Sequence, residues 1–247
     1  MLKLSEKEEV AWDVAGVVGD NFKKIPEEMR NELLLKLSEN EKTTGIVAQT
    51  VAYNFDRIPK EVRNELLLKL AEKEGAARIV TMIVRENFKK IPEEVRNELL
   101  LKLAEKEEVA RIVAWVVADN FNNLPKEVRD LLFKLAEKKE TAGGVAWVVA
   151  YIDDLPEEVR NELLLKLSEH KYPQNERAAR IVARVAHAVA HNFDNLPEEV
   201  RNELLLKLSE NEETTWIVAR IVRDNFNKIP EEVRKRLPEK VKKRLTN

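Results

Sequence analysis

Two histidines stand four residues apart, at His187 and His191, in a chain of 247 residues that has three His and no Cys. On a helix this spacing can present two imidazoles to one metal ion, and Asp224 or His170 could supply a third ligand. The intervening Ala-Val-Ala lacks the glutamate of the His-Glu-x-x-His motif, so the pattern is not that of a metalloprotease. We favour a solvent-facing histidine pair and predict neither a metal nor a cofactor.

Other catalytic patterns are missing from the sequence. No Gly-rich phosphate loop, nucleophile elbow or Ser/His/Asp set can be assembled, because the carboxylates are mostly repeated glutamates. The absence of Cys excludes disulfides, Cys-ligated zinc, iron–sulfur clusters and a cysteine nucleophile. We therefore expect a protein that is not an enzyme.

Composition narrows the class of protein further. The chain carries 43 Lys and Arg against 45 Asp and Glu, a net charge of −2, which argues against a chain built as a whole for nucleic acid. Residues 1–10 are too charged for a signal peptide, and the longest uncharged stretch is well below the ~18 residues of a spanning helix. The sequence predicts a cytoplasmic protein without membrane contact. Abundant Glu, Lys and Arg with few Met would suit a thermophile.

The chain is built from internal repeats. A proline preceded by Ile or Leu, and usually followed by Glu-Val-Arg, recurs at spacings of 33, 33, 33, 31, 41 and 33 residues. These prolines are Pro26, Pro59, Pro92, Pro125, Pro156, Pro197 and Pro230. The pattern predicts one repeat domain over residues 1–247, with a partial first repeat over 1–25 and a basic C-terminal capping helix over 230–247.

Each repeat predicts two helices. The first begins at the proline, as a first helical residue, and has one apolar face, so its Glu, Arg, Asn and Lys are expected to form a solvated outer surface. The second, roughly residues 108–119 in the Pro92 repeat, is apolar almost all round and needs neighbours on several sides. An Asn-Phe-x-x-(Ile/Leu)-Pro turn ends it, in which Asn is expected to adopt αL and Phe to anchor the turn.

The recurring Pro-Glu-Glu-Val-Arg string resembles the Pro-x-x-Val-Arg character of HEAT-like repeats over nearly the whole chain. The resemblance implies an all-α, right-handed α-solenoid of about seven helix-turn-helix repeats of ~33 residues. It also implies a concave surface offered to a partner. Some HEAT-like proteins act on damaged bases, and Asp119, Trp115 and Trp147 are the candidates for that chemistry here, although their surroundings are not uniformly basic.

The repeats differ from one another mainly along a stripe on the second helices, at i, i+4 and i+8. This stripe holds all four tryptophans and is predicted to be the binding groove for a protein or peptide, since aromatic residues and Arg are enriched at interface hot spots. Alternatively, these aromatics complete the core between units. Glycines on the stripe would let a partner approach the backbone closely, or reflect drift. The predicted groove residues are Trp12, Tyr53, Met82, Arg111, Trp115, Asp119, Trp147, Tyr151, Arg180, Arg184, His187, His191, Trp216, Arg220 and Asp224.

The ends and the irregular units leave alternatives open. The last two repeats and the tail are basic, so nucleic acid is the second candidate partner. The first residues match only the last turns of a first helix, and self-association through that end is a further possibility. The fourth repeat lacks one residue near Asp130. The fifth carries a longer loop over 170–176 and a second helix longer by one turn.

Overall fold

The structure is a computed structural model that describes residues 2–5, 7–152, 155–170 and 176–245. Of residues 2, 3, 8 and 176–180 it describes the backbone. Over these described residues the chain is α-helical with short 3-10 turns and no β-strand, which confirms the prediction of an all-α protein. The chain divides into two compact units, Met1–Val116 and Val117–Asn247.

The first unit consists of two helices per repeat. The second helices α2, α4 and α6 pack side by side, and the first helices α3, α5 and α7 do the same. Each of these first helices also contacts the second helix before it, and α3 and α5 pack on the second helices that follow them, α4 and α6. The helices are α1 (Leu2–Ser5), α2 (Glu8–Asp20), α3 (Glu27–Ser38), α4 (Thr44–Tyr53), α5 (Lys60–Ala71), α6 (Glu74–Glu86), α7 (Glu93–Leu103) and α8 (Ala110–Asp119), which runs across the boundary at Val116.

The second unit repeats this arrangement with irregularities. Its second helices α11, α13 and α15 pack in a row, α10, α12 and α14 form the row of first helices, and the last helix α17 packs on α15. The helices are α9 (Lys126–Arg129), α10 (Leu131–Glu137), α11 (Lys139–Tyr151), α12 (Glu157–Ser168), α13 (Glu176–His191), α14 (Glu198–Ser209), α15 (Thr215–Asp224), α16 (Glu231–Arg236) and α17 (Glu239–Leu245).

The irregularities follow the sequence changes. The missing residue near Asp130 divides one first helix into α9 and α10, and α13 has 16 residues. Pro238 ends α16 and separates it from α17, so the predicted single capping helix over 230–247 is two helices. Residues 171–175 of the longer loop lie outside the described residues.

Each first helix begins one residue later than predicted. Its proline is the cap residue, with φ between −51° and −65° and an extended ψ between 137° and 156°. The proline carbonyl accepts the first helical hydrogen bond, as from the Arg96 N–H to the Pro92 oxygen at 2.9 Å. The glutamates that follow favour the positive end of the helix dipole.

The second helices end without a left-handed residue, so the prediction of αL at Asn is wrong. The terminating asparagines have φ between −99° and −122°, and no described residue other than glycine has a positive φ. Their side chains satisfy the helix end instead. The Asn87 amide donates to the Ile83 carbonyl at 3.1 Å, and Asn54 donates to Thr50 at 3.0 Å.

The arginine of each first helix is buried or half-buried on the turn before it, so the prediction that these arginines are solvated is wrong. The Arg63 guanidinium carbon lies 4.0 Å above the centroid of the Phe55 ring, and its Nη1 donates to the Phe55 carbonyl at 2.9 Å. Burial lowers the pKa of Arg63 from its ordinary value. The same cation–π stack joins Arg30 to Phe22, Arg96 to Phe88, Arg129 to Phe121, Arg201 to Phe193 and Arg234 to Phe226.

The asparagine after this arginine is also less solvated than predicted. Asn97 is half-buried and Asn161 is buried, because neighbouring first helices cover this position. In five repeats the side-chain oxygen Oδ1 is buried without a hydrogen-bond partner, at Asn31, Asn64, Asn97, Asn161 and Asn202. The glutamates of the same helices, such as Glu94 and Glu98, are exposed as expected.

Exposed ion pairs connect successive first helices. Lys102 Nζ lies 2.6 Å from a carboxylate oxygen of Glu72, and Lys166 Nζ lies 2.6 Å from Glu137. The hydrogen bond from Lys102 lowers the pKa of Glu72, and the same bond raises the pKa of Lys102. Because these groups are exposed, each pair contributes little to the free energy of unfolding.

Replacing Arg63 by Lys tests the stacked arginine. Lysine keeps the charge but cannot lie flat on Phe55 while donating to its carbonyl, so we expect Arg63→Lys to lower the free energy of unfolding by about 1–3 kcal/mol. Urea denaturation measures this change. Arg57→Lys at an exposed position is the matched control and should change stability by less than about 0.5 kcal/mol. Equal losses in the two variants would contradict the structural role of Arg63.

The pair between Lys102 and Glu72 should stabilise the fold only within a pH window. The lowered pKa of Glu72 gives stability that is present above the ordinary carboxyl pKa and is lost as pH falls through the lowered value. The raised pKa of Lys102 gives stability that is present below its ordinary value of 10.5 and is lost as pH rises through the raised value. The difference in unfolding free energy between wild type and Lys102→Gln should therefore shrink at both pH extremes. Lys60→Gln, which alters an exposed lysine of α5, should show no such pH profile.

Candidate functional site

The exposed side of the second helices carries large aromatic side chains in the first unit. Trp12 on α2 is 60% exposed and Tyr53 on α4 is 81% exposed, while Met82 on α6 is 37% exposed. Arg111 on α8 is also exposed. The structure therefore leaves these predicted groove residues in solvent, and the alternative that Trp12 and Tyr53 complete the core is wrong.

Trp115 occupies the same stripe but is partly covered. It is half-buried, and the guanidinium carbon of Arg85 lies 4.7 Å from its ring centroid. Arg85 stands where most repeats have Gly or Ala, such as Ala52 and Ala118. The sequence analysis did not select Arg85, although comparing the repeats at this position would have found it. The cation–π contact holds the indole partly against α6.

Trp147 and Tyr151 form an aromatic pair on α11 in the second unit. Their ring centroids are 5.0 Å apart, with an interplanar angle of 44°. Tyr151 is 65% exposed, whereas Trp147 is half-buried. The pair offers one rigid apolar surface at the end of the helix, with Tyr151 outermost.

A second aromatic contact joins α13 to α15. The ring centroids of His187 and Trp216 are 6.1 Å apart in an edge-to-face arrangement, and both side chains are exposed. One turn further along α15, Arg220 Nε lies 3.7 Å from a carboxylate oxygen of Asp224. The stripe of the second unit thus combines aromatic rings with cationic groups.

Arg184 does not point into solvent as predicted. It is half-buried, and its Nη1 donates to the carbonyl of Gly143 on α11 at 3.4 Å. The longer α13 shifts the register of this helix, so Arg184 stands where other repeats have the interfacial isoleucine, as at Ile112. The side chain of Arg180 lies outside the described residues.

The residues proposed for metal binding are not brought together as a set of three. His187 and His191 are exposed, Asp224 lies beside Arg220, and a ring nitrogen of His170 lies against the carbonyl of Ala136. Among the residues that the structure describes, no group of three or more His, Asp or Glu is placed to hold a metal ion.

The stripe glycines have two different roles. A Cβ at Gly143 would lie 3.0 Å from an Ile181 side-chain atom, so this glycine lets α11 and α13 pack closely. A Cβ at Gly16 would meet no atom within 4 Å. A side chain at Gly16 would therefore meet no neighbouring atom, so packing within the chain does not account for a glycine there.

Charge on the second helices is distributed unevenly. Helix α2 carries four Asp or Glu and no Lys or Arg, a net of −4. Helices α13, α15 and α17 together carry nine Lys or Arg against three Asp or Glu, a net of +6. Helix α2 of the first unit is therefore acidic, whereas the second helices α13 and α15 and the last helix α17 of the second unit are basic.

A cavity of about 470 Å³ in the second unit lies away from the stripe. It is bounded by the ends of α12 and α14 and by α13, with Leu167, Val182 and Leu208 as apolar lining and Glu169 and Lys207 as charged lining. No predicted groove residue lines it, and it adds no group to the stripe.

Comparison of the chain with protein-family models, curated proteins and solved structures gives no match. Within the described residues, every helix is too short or too polar to cross a membrane.

The different exposures of the tryptophans predict different effects on folding. Trp216→Ala and Trp12→Ala should change the free energy of unfolding by less than about 0.5 kcal/mol, because about half or more of each side chain is in solvent. Trp147→Ala should cost about 1–3 kcal/mol, because it removes the half-buried partner of Tyr151. Chemical denaturation followed by circular dichroism measures all three. A large loss for Trp216→Ala would show that its ring is part of the core.

Proposed function

We propose that the chain is a non-enzymatic HEAT-like repeat protein that binds a protein or peptide through the stripe of its second helices. A right-handed α-solenoid of about seven repeats is the architecture that this proposal assigns to it. Support comes from the parallel rows of first and second helices within each unit and from the stacked arginine that recurs at the repeat junctions.

The exposed aromatic residues carry the proposal. Trp12, Tyr53, Tyr151 and Trp216 are between 47% and 81% exposed. Trp12 and Trp216 share the first position of the stripe, and Tyr53 and Tyr151 share its third position, eight residues further along the helix. Elsewhere the exposed surface of the repeats is dominated by charged residues such as Glu65. Tryptophan and tyrosine are enriched in binding hot spots because they bury a large area with little loss of conformational entropy.

The two units favour different parts of a partner. In the first unit, Trp12, Tyr53 and Met82 lie near the acidic residues Asp20 and Glu86 along the stripe, which suits apolar side chains beside a basic group. In the second unit, Arg220 and the exposed Arg223 accompany Trp216, which suits an apolar side chain beside a carboxylate.

Nucleic acid is the second candidate partner. The net charge of +6 on α13, α15 and α17 favours it, and Trp216 beside Arg220 could stack on an unpaired base. The acidic α2 and the net charge of −2 of the whole chain favour a polypeptide instead. Phosphate recognition would also leave the aromatic stripe of the first unit without a role.

Selection from a displayed library of random peptides tests the proposal. We expect peptides that bind the wild-type chain and lose at least about tenfold in affinity when stripe residues are truncated, since hot-spot residues typically contribute more than 1.4 kcal/mol each. The stripe variants are Trp12→Ala with Tyr53→Ala in the first unit, and Tyr151→Ala with Trp216→Ala in the second. Glu65→Ala with Glu98→Ala, both exposed on first helices, is the matched control. Selected peptides that bind every variant equally would contradict a stripe site.

Fluorescence anisotropy with labelled single- and double-stranded oligonucleotides at two salt concentrations separates the two partners. A peptide-binding protein should show no tight binding to either oligonucleotide at low salt. Tight binding that weakens steeply with salt, and that is lost in Arg220→Ala with Arg223→Ala, would replace the peptide proposal by the nucleic-acid one.

A further inference from the structure

Helices α1 and α2 expose apolar side chains at positions that other repeats bury. Leu4 on α1 is 47% exposed, whereas its equivalents Leu37, Leu70 and Leu103 are fully buried. Val17 on α2 is 46% exposed, and the residues at its position in the other repeats are at most 5% exposed, namely Thr50, Ile83, Val116, Val148, Ala188 and Ile221. The two exposed side chains lie on helices that pack on each other, and each leaves apolar area open to solvent.

Carboxylates surround Val17 on this surface. Glu9, Asp13 and Asp20 are all exposed and lie on the same side of α2 as Val17, at spacings of four, four and three residues along the helix. Asp13 stands where Ile46 stands in the next repeat. We call Leu4, Glu9, Asp13, Val17 and Asp20 the acidic surface.

In the other repeats this side of a second helix contacts the preceding second helix. The Arg184 side chain, at the position equivalent to Asp13, reaches the Gly143 carbonyl of α11. The Thr50 hydroxyl oxygen, at the position equivalent to Val17, lies 3.0 Å from where a Cβ of Gly19 would be. The acidic surface therefore lies on the side of α2 that corresponds to the side by which later second helices contact the preceding one. On this side, Asp13 replaces the isoleucine of the next repeat.

The second unit carries a surface of opposite charge. Helices α16 and α17 hold seven Lys or Arg and three Glu, a net of +4, and Lys235, Arg236, Lys243 and Arg244 are exposed. Phe226, in the turn before α16, is 49% exposed, whereas Phe193 at the equivalent position is 3% exposed. We call these five residues the basic surface.

We propose that the acidic surface of one copy of the chain docks on the basic surface of a second copy. The net charges of α2 and of α16 with α17 are −4 and +4, and each surface combines its charge with apolar side chains that equivalent positions elsewhere bury. The aspartate at position 13 disfavours an apolar helix as the occupant and favours a basic one.

Because the two surfaces differ, the contact is heterologous, and a copy can offer one surface to each of two neighbours. This association uses the side of α2 next to the Trp12 stripe, and Asp20 is the one residue that it shares with the proposed peptide site.

Analytical ultracentrifugation of the full chain over a range of concentrations tests the proposal. We expect reversible association beyond the monomer at about 50 mM NaCl, weakened at least about tenfold at about 500 mM NaCl, because exposed charge pairs are screened. Reversal of either surface should abolish association. The variants are Asp13→Lys with Asp20→Lys for the acidic surface, and Lys243→Glu with Arg244→Glu for the basic surface.

Charge exchange makes the test specific. Neither variant should associate alone, an equimolar mixture of the two should associate, and one chain carrying all four substitutions should again self-associate. Glu158→Lys with Glu162→Lys on α12 is the control for added positive charge and should associate as the wild type does. The proposal would be overturned if the wild-type chain stayed monomeric at low salt, or if association survived both reversals. It would also be overturned if the mixture failed to associate while each variant retained wild-type circular dichroism.

Discussion

Each repeat depends on an arginine that holds the turn before its helix. The guanidinium group lies flat on the phenylalanine ring of that turn and donates to the carbonyl of the same residue, as Arg63 does with Phe55. One side chain thereby covers an apolar ring and satisfies a backbone oxygen, and it sets where the second helix ends relative to the next first helix. In the fourth repeat Ile152 replaces the phenylalanine. Arg160 keeps the hydrogen bond to its carbonyl at 3.3 Å without the ring beneath it.

The arginine–phenylalanine junctions and the buried leucines are the same in most repeats. The repeats therefore differ in sequence mainly on the side of the second helix that contacts neither the junctions nor these leucines. That side is not uniformly free. Trp115 lies under Arg85, so part of the stripe also contacts a neighbouring helix. Arg184, which lies at the interfacial isoleucine position of the other repeats, reaches the backbone of α11. The exposed rings of Tyr53 and Tyr151 have no such contact with a cation among the described residues, and these positions are where a partner would gain most by covering apolar area.

The net charges of α2, α13, α15 and α17 support both the proposed partner binding and the proposed self-association. The acidic α2 and the basic α13, α15 and α17 favour partner groups of opposite charge, and this difference in charge makes two surfaces of the chain complementary to each other. The two interactions use different sides of α2. Trp12 and Asp20 lie on the stripe, whereas Asp13 and Val17 lie on the side that docks helices in other repeats. Asp20 belongs to both sides, so the two interactions share one carboxylate.

The sequence by itself determined the helices and their order. Periodic leucines, prolines at fixed spacing and the Asn-Phe turn predict the two helices of each repeat, because these signals act within a few residues of chain. The missing residue near Asp130 marks the fourth repeat as irregular, but only the structure shows that its first helix is divided there. Tertiary structure decided which polar residues are buried. In sequence, the arginine of each first helix stands among polar residues that are exposed. Only the structure shows that the preceding turn covers its side chain. Likewise, Val17 is exposed and Val116 is buried at equivalent positions. The spacing of apolar residues predicts which face of a helix is apolar, but burial of that face depends on whether another helix packs against it.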